Sequence, residues 1–284
     1  MILQIHDIAT QLQAAYPKDE AAALAWWIAE EMTGLSRTQL LSGCKITKNF
    51  ANTQEIIAAN AKLQEIIERL LHFEPIQYVF GHTLWCGLDL KVTPATLIPR
   101  PETAELVNKV ESLKLKVESP KVLDIGTGSG CIAIALKKLH PEWQVTGIDI
   151  SAEAIEVAKE NAQKNGVKAE FRRMDVLTNP FDSIGTFDIV VSNPPYICEK
   201  EKEGMRRNVL EYEPAQALFV PDDDPLVFYR RIAQLNLGQY LFFEINEAYA
   251  EEMRELLSEF GYTDIQITND IYGKPRIIEA RSTR

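Results

Sequence analysis

The sequence predicts an α/β protein with a doubly wound, seven-stranded and mostly parallel sheet behind a small N-terminal helical domain. Three observations predict it. From Lys121 onward, β-branched apolar runs alternate with amphipathic helical segments. Glycines cluster in Asp124-Ile125-Gly126-Thr127-Gly128-Ser129-Gly130, between the first of these strands and the first of these helices. Residues 1–73 read as helices, with apolar residues at helical spacing.

Taken in order, Ile5, Ile8 and Leu12 start a helical stripe. The Ala-rich run from Asp19 to Met32 carries Trp26, Trp27 and Ile28 and stops at Gly34. Its tryptophans fall on the stripe and are expected in the core. Ser36, with Gln39 three residues on, reads as a capping box that starts another helix. From Thr53 to His72, Ile56, Leu63, Ile66, Ile67, Leu70 and Leu71 form one apolar face. Glu74-Pro75 ends that pattern. The stretches Tyr78–Gly81, Thr83–Gly87 and Leu88–Val92 read as short strands separated by glycines, a hairpin linking two domains. Leu97-Ile98-Pro99-Arg100-Pro101-Glu102-Thr103 is a proline-stiffened turn into a helix from Ala104 to Leu113.

Strands are then predicted near Val122–Ile125, Gln144–Ile150, Ala169–Arg173, Phe187–Ser192, Tyr240–Ile245, Thr263–Ile267 and Arg276–Ala280. Helices are predicted near Cys131–Leu139, Ala152–Asn165, Pro225–Leu235 and Glu247–Phe260. The longest irregular connection, Ile197 to Pro221, is expected to be functional or mobile. The domain boundaries follow: 1–73 helical, 74–98 hairpin linker, 99–284 the α/β domain.

Composition narrows the function. The 284 residues carry a net charge of −11, which argues against broad neutralisation of nucleic-acid phosphates. Four scattered cysteines, Cys44, Cys86, Cys131 and Cys198, suggest neither a metal site nor a disulfide framework. The N-terminus has no basic segment followed by an apolar run, and no stretch approaches the roughly 20 apolar residues of a membrane span. A cytoplasmic protein is expected.

The glycine turn has Gly-x-Gly-x-Gly spacing, unlike the Gly-x-Gly-x-x-Gly that seats a pyrophosphate. Asp149 ends the second strand, where a carboxylate can accept from both hydroxyls of a ribose. Asp175 follows the third, where it can accept from an adenine amino group while Val176 flanks the ring. Each feature alone is ordinary. Together, after strands one, two and three, they indicate a nucleoside site. No phosphate-cradling lysine loop is present, so ATP is disfavoured and S-adenosylmethionine fits. Its amino-acid end would lie at the glycine turn and Asp124.

Asn193-Pro194-Pro195-Tyr196 follows the fourth strand. Consecutive prolines stop the strand and stiffen the loop. The Asn193 side-chain oxygen and the Pro194 carbonyl could then accept from a planar –NH2 group, with the Tyr196 ring on its flat face. Methyl transfer to an amide or exocyclic amine follows, carried mainly by positioning.

The glycine turn, Asp149 and Asn193–Tyr196 resemble the class I S-adenosylmethionine-dependent amino-methyltransferases. The tetrapeptide is shared with adenine-N6 methyltransferases of nucleic acids. A narrower resemblance lies in Glu74-Pro75-Ile76-Gln77-Tyr78-Val79-Phe80-Gly81, Leu97–Thr103, Tyr212-Glu213-Pro214 and Asp270-Ile271-Tyr272-Gly273-Lys274-Pro275-Arg276. These are similar to the peptide chain release factor N5-glutamine methyltransferases, the PrmC/HemK family, across nearly the whole chain. That resemblance implies methylation of the glutamine in the Gly-Gly-Gln motif of class 1 release factors. It implies cofactor contacts at Asp124, Gly126, Thr127, Gly128, Ser129, Gly130, Asp149, Asp175, Val176 and Asn193. It implies catalysis by Asn193, Pro194 and Tyr196, with Pro195 completing the glutamine clamp and the helical domain contacting the release factor. A monomer without a metal, without stable nucleic-acid binding and off the membrane is expected.

Two positions depart from the family pattern. Glu244-Ile245-Asn246 stands where many relatives have Glu-Ile-Gly, and Ala104 where many have Glu. Glu244 is then a site residue or a plain strand-end acid. Arg100 and Glu102 either order the loop beside the cofactor or make an ion-paired structural turn. Two other readings stay open: an adenine-N6 methyltransferase acting on DNA or RNA, and a non-catalytic module of the same fold.

Overall fold

A computed structural model describes residues 5–42, 53–115, 117–181 and 184–283. The chain divides into two compact units, Met1–Phe80 with Arg207–Tyr212, and Gly81–Arg206 with Glu213–Arg284. The elements are, in order, α1 (Ile5–Leu12), α2 (Lys18–Thr33), α3 (Arg37–Leu41), α4 (Thr53–Leu71), α5 (Ile76–Phe80), β1 (His82–Trp85), β2 (Leu88–Lys91) and α6 (Thr103–Glu111). Then come β3 (Lys121–Ile125), α7 (Cys131–Leu139), β4 (Gln144–Asp149), α8 (Ala152–Lys164), β5 (Glu170–Arg173), β6 (Phe187–Ser192) and β7 (Ile197–Cys198). The last are α9 (Arg207–Tyr212), β8 (Phe219–Val220), α10 (Val227–Leu235), β9 (Gly238–Glu244), α11 (Ala250–Glu259), β10 (Tyr262–Asn269) and β11 (Pro275–Ser282).

In the first unit, Ile8, Leu12, Ala25, Ile28, Ile66, Ile67 and Leu70 form the core. The predicted caps are present. Gly34 is left-handed at φ 71° and returns its N–H to the Glu30 carbonyl. The Ser36 hydroxyl accepts from Gln39 N at 3.4 Å, and the Gln39 side chain accepts from Ser36 N at 2.9 Å. Within this unit α9 is held by the Tyr212 hydroxyl, which donates to the His72 carbonyl at 2.9 Å, and by Arg207 over the Phe73 ring.

Two expectations are corrected here. Tyr78-Val79-Phe80 lie in α5, not in a strand. Pro75 presets the first turn, and its carbonyl accepts from Tyr78 and Val79 N. The Arg69 guanidinium, paired with Glu74, caps the Val79 carbonyl at 3.2 Å, which outweighs the β-branched and aromatic composition. Trp26 and Trp27 are both half-buried: Trp27 packs against the core as expected, Trp26 does not join it, and alanines fill much of the centre. Arg37 stacks over Trp26, and the Trp27 indole donates to Glu31 at 3.2 Å.

In the second unit the main sheet has the order β10-β11-β9-β6-β3-β4-β5, parallel from β9 to β5, with β11 antiparallel to both its neighbours, β9 and β10. Successive residues of each strand face opposite sides. Val122, Val145 and Val191 join one core layer with α6, α7 and α8, while Leu123, Ile148 and Val190 join the other with α10 and α11. β1 and β2 form the predicted hairpin. The Ile197–Pro221 connection is ordered by the parallel pair β7–β8. Cys86, Cys131 and Cys198 are free thiols, and Cys44 lies outside the described residues. Among the described residues no helix is long and apolar enough to cross a membrane.

Candidate active site

The chain leaves β3 toward β4 on one side and returns as β6 on the other, so β3 and β6 flank the switch point of the sheet, where α/β folds bind ligands. Register aligns the site. Ile125 pairs with Ile148 and with Ser192, and Ser192 pairs with Phe243. One residue beyond stand Gly126, Asp149, Asn193 and Glu244, all at the carboxyl edge. The Ser192 hydroxyl donates to the Ile125 carbonyl at 2.6 Å, tying the two central strands there. A cleft of about 230 Å³ opens above them, walled by Gly126, Thr127, Gly128, Ser129, Asp149, Asp175, Val176, Asn193, Pro194 and Pro195.

The glycine turn is held from below and from the side. Gly126 and Thr127 N both donate to the Ile148 carbonyl at 2.9 Å. Gly128, at φ 53°, turns its N–H to Asp149 Oδ2 at 2.9 Å, while Ser151 N donates to Asp149 Oδ1 at 2.9 Å. Each Asp149 oxygen thus keeps a lone pair for a further donor. Burial raises the Asp149 carboxyl above its usual range, opposed by those amides. Asp124, fully buried beneath the turn, accepts from the Thr127 hydroxyl at 2.6 Å and Ala133 N at 3.3 Å through Oδ2. Its Oδ1 has no hydrogen-bond partner among the described residues. Burial pushes the Asp124 carboxyl up to about 7, with the Asp149 charge adding to the effect. Asp175 caps its own turn, accepting from Leu177 N at 2.9 Å and the Thr178 hydroxyl at 2.6 Å.

On the other wall, Asn193 Nδ2 donates to the Thr103 hydroxyl at 3.1 Å, and that hydroxyl donates to Glu244 Oε2 at 2.7 Å. Glu244 Oε1 accepts from the Tyr196 hydroxyl at 3.1 Å. Burial raises the Glu244 carboxyl, opposed by Thr103, Tyr196 and the nearby Arg276 guanidinium, itself on Asp270 at 3.2 Å. Asn246 holds the Tyr196 carbonyl through Nδ2 at 3.2 Å and caps Ala248 N through Oδ1. Arg100 pairs with buried Glu213 at 2.6 Å, and Glu213 also accepts from Ile98 N at 3.2 Å, fixing the Leu97–Thr103 turn over the cleft.

Most predicted residues meet in one place, and three stand behind it. Asp124 lies under the turn. Tyr196 is outside the cleft wall, its hydroxyl drawn back to Glu244. Gly130, at φ 81°, serves packing: a Cβ there would come within 3.1 Å of Ala158 Cβ on α8. Four residues were given no role from sequence: Thr103, Glu213, Asn161 and Gly147. Asn161 clamps the hairpin to the turn, donating to the Lys91 and Ser129 carbonyls at 2.9 Å and accepting from Lys91 N at 2.6 Å. A Cβ on Gly147 would lie 2.7 Å from Thr127 Oγ1 and 2.8 Å from the Phe171 ring. Gly147→Ala is therefore expected to destabilise the protein by about 1–3 kcal/mol, read as a lower urea midpoint. An unchanged midpoint would mean that Thr127 and Phe171 move aside without strain.

Comparison with known proteins places the chain. Residues 103–216 match the methyltransferase small domain family, and residues 5–81 match the PrmC N-terminal domain family. A release factor glutamine methyltransferase of Bacteroides thetaiotaomicron is 43% identical over 278 residues, covering 96% of this chain and 97% of that one. Another, from Flavobacterium psychrophilum, is 45% identical over 225 residues, covering 76% and 78%. Among solved structures, the catalytic domain of hMettl16 in complex with a MAT2A 3′UTR hairpin aligns with a TM-score of 0.57 at 17% identity, over 75% of this chain and 84% of that one. At that identity it shows the fold alone, that of the class I methyltransferases.

Proposed function

Because the chain belongs to the release factor glutamine methyltransferase family, we propose that it transfers a methyl group from S-adenosylmethionine to N5 of the glutamine in the Gly-Gly-Gln motif of class 1 peptide chain release factors. One observation carries the reading at the level of chemistry. The glycine turn and Asn193-Pro194-Pro195 wall one cleft at the switch point, so a nucleoside cofactor and an amide acceptor would share it.

The cleft residues fit the cofactor. Asp149 retains lone pairs for the two ribose hydroxyls while its backbone donors hold it in place. Asp175 and Val176 line the same cleft, which supports their meeting an adenine edge and face. Asp124 Oδ1 is a buried acceptor beneath the turn, and its charge there would favour the ammonium of the amino-acid end above it. S-adenosylmethionine bound there supplies an electrophilic methyl on a sulfonium.

Asn193 Oδ1 and the Pro194 carbonyl then accept the two N–H groups of the glutamine amide. These bonds aim the nitrogen lone pair at the methyl and stabilise the positive charge that grows on nitrogen. With the cofactor held there, the N–CH3 bond would form as the S–CH3 bond breaks, leaving the neutral thioether. The proton left on nitrogen passes to solvent, so no side chain need act as a base. Tyr196, fixed at its hydroxyl and its carbonyl, backs the loop. Residues 1–73 recognise the release factor, residues 74–98 link, and residues 99–284 carry the chemistry. The protein works in the cytoplasm as a monomer and without stable nucleic-acid binding.

Purified protein is expected to transfer labelled methyl to a release factor, with mass spectrometry placing it on the Gly-Gly-Gln glutamine. A Gln→Ala acceptor should take no label. Label that persists on that acceptor would sink the glutamine assignment.

A further inference from the structure

We propose that Glu244 and Thr103 are positioning residues that set which way round the Asn193 carboxamide faces. The proposal rests on the amide-methyltransfer reading above and assigns a role to an acid that sequence left between two readings.

The two atoms of a carboxamide that matter here differ in kind. Oδ1 accepts and Nδ2 donates, and the two ends are nearly the same size, so the hydrogen-bond network decides the orientation. Thr103 Oγ1 has a single proton. The Glu244 carboxylate takes it at 2.7 Å. The hydroxyl can then only accept from its other neighbour, and that neighbour is Asn193 at 3.1 Å. Asn193 must present Nδ2 to Thr103, which leaves Oδ1 to the cleft that Asn193 lines. The flipped carboxamide would put two oxygens 3.1 Å apart with no proton between them. It would also turn a donor toward the substrate amide, which needs an acceptor.

The fold spends buried polar groups on this relay. Thr103 is 3% exposed and Glu244 1% exposed, and they come from elements 141 residues apart. The carboxylate is doubly committed, since its other oxygen takes the Tyr196 hydroxyl. Glu244 therefore fixes both ends of the Asn193–Tyr196 loop, the carboxamide through Thr103 and the ring directly. A plain strand-end acid would stand in water, whereas this one is enclosed and faces two hydroxyls of the same loop assembly.

The test compares Thr103→Val, Thr103→Ser and Glu244→Gln. Methyl transfer to a release factor, cofactor Kd by calorimetry and thermal stability are measured on each. Thr103→Val keeps the shape and removes the relay, so kcat is expected to fall about 30-fold, in the range that misplacement of a reacting group costs. Cofactor Kd should stay within about threefold, because Thr103 touches the amide wall and not the nucleoside-binding acids. Thr103→Ser restores the hydroxyl and should recover at least about tenfold over Thr103→Val. Glu244→Gln can turn either end to Thr103, so both Asn193 orientations are populated and kcat should fall with the cofactor Kd retained.

Wild-type kcat in Thr103→Val, a Thr103→Ser as slow as Thr103→Val, or equal losses in kcat and cofactor affinity would each overturn the proposal. If Glu244→Gln does not fold, the valine and serine pair decides alone. If the wild-type protein methylates no release factor, the underlying reading fails and the positioning role fails with it. Activity that is present but insensitive to Thr103 removes only the positioning role.

Discussion

Asn193→Ala is expected to lower kcat for methyl transfer by about 10²–10³-fold, the usual cost of removing one preorganised group that meets developing charge. Cofactor Kd should change by less than about threefold, since the glycine turn, Asp149 and Asp175 keep their places in the cleft and Asn193 is only one of the implied cofactor contacts. The amide nitrogen of glutamine is a poor nucleophile because its lone pair is delocalised into the carbonyl. An acceptor on its N–H favours the charge that appears as that lone pair is withdrawn, and it does so more in the transition state than in the ground state. The neighbouring prolines hold the backbone regardless, so the loop should keep its path in the variant. Single-turnover kinetics and calorimetry separate the two effects. Comparable losses in both would make Asn193 a cofactor residue and remove the amide clamp.

What could be seen in advance depended on the range of the interaction. β3, β6 and β9 are buried on both faces toward their carboxyl ends and read as apolar runs there, and the ends of β3, β4, β6 and β9 are marked by Gly126, Asp149, Asn193 and Glu244. Turn chemistry at Gly34 and Ser36 is local and was legible for the same reason. The α5 segment was misread because the Arg69 side chain that favours it comes from α4. Trp26 falls outside the core that its spacing predicts, because spacing gives a face but not how deeply small alanines let the neighbouring helices approach.

In the site, the residues that meet a ligand follow strands and announce themselves by position. The residues that hold them do not. Thr103 reaches Glu244 across 141 residues, and Arg100 reaches Glu213 across 113. No periodicity encodes such pairs, and Glu102, two residues from Arg100, is the nearer acid in sequence. Gly147 reads as an ordinary strand residue until Thr127 Oγ1 and Phe171 are known to pack where its Cβ would be.

The complementary experiment is Asp149→Ala, where the expected loss falls on binding. Asp149 takes Gly128 N and Ser151 N at 2.9 Å each, and it lines the cleft. Hydrogen bonds to a charged acceptor contribute about 1.5–3 kcal/mol apiece, so losing two from a ribose predicts a cofactor Kd raised about 100-fold or more. The turn also loses the anchor of Gly128, which adds a reorganisation cost on binding. Stability should change far less. Burial disfavours the ionised Asp149 carboxylate in the folded protein, and removing it relieves that cost while two backbone amides lose a partner. At saturating cofactor, kcat should recover toward the wild-type value, because Asn193, Thr103 and Glu244 are untouched. Asn193→Ala and Asp149→Ala are thus expected to fail in opposite ways, one in kcat and one in affinity. A Kd for S-adenosylmethionine unchanged in Asp149→Ala would place the nucleoside elsewhere and would separate the glycine turn from the amide wall that it adjoins.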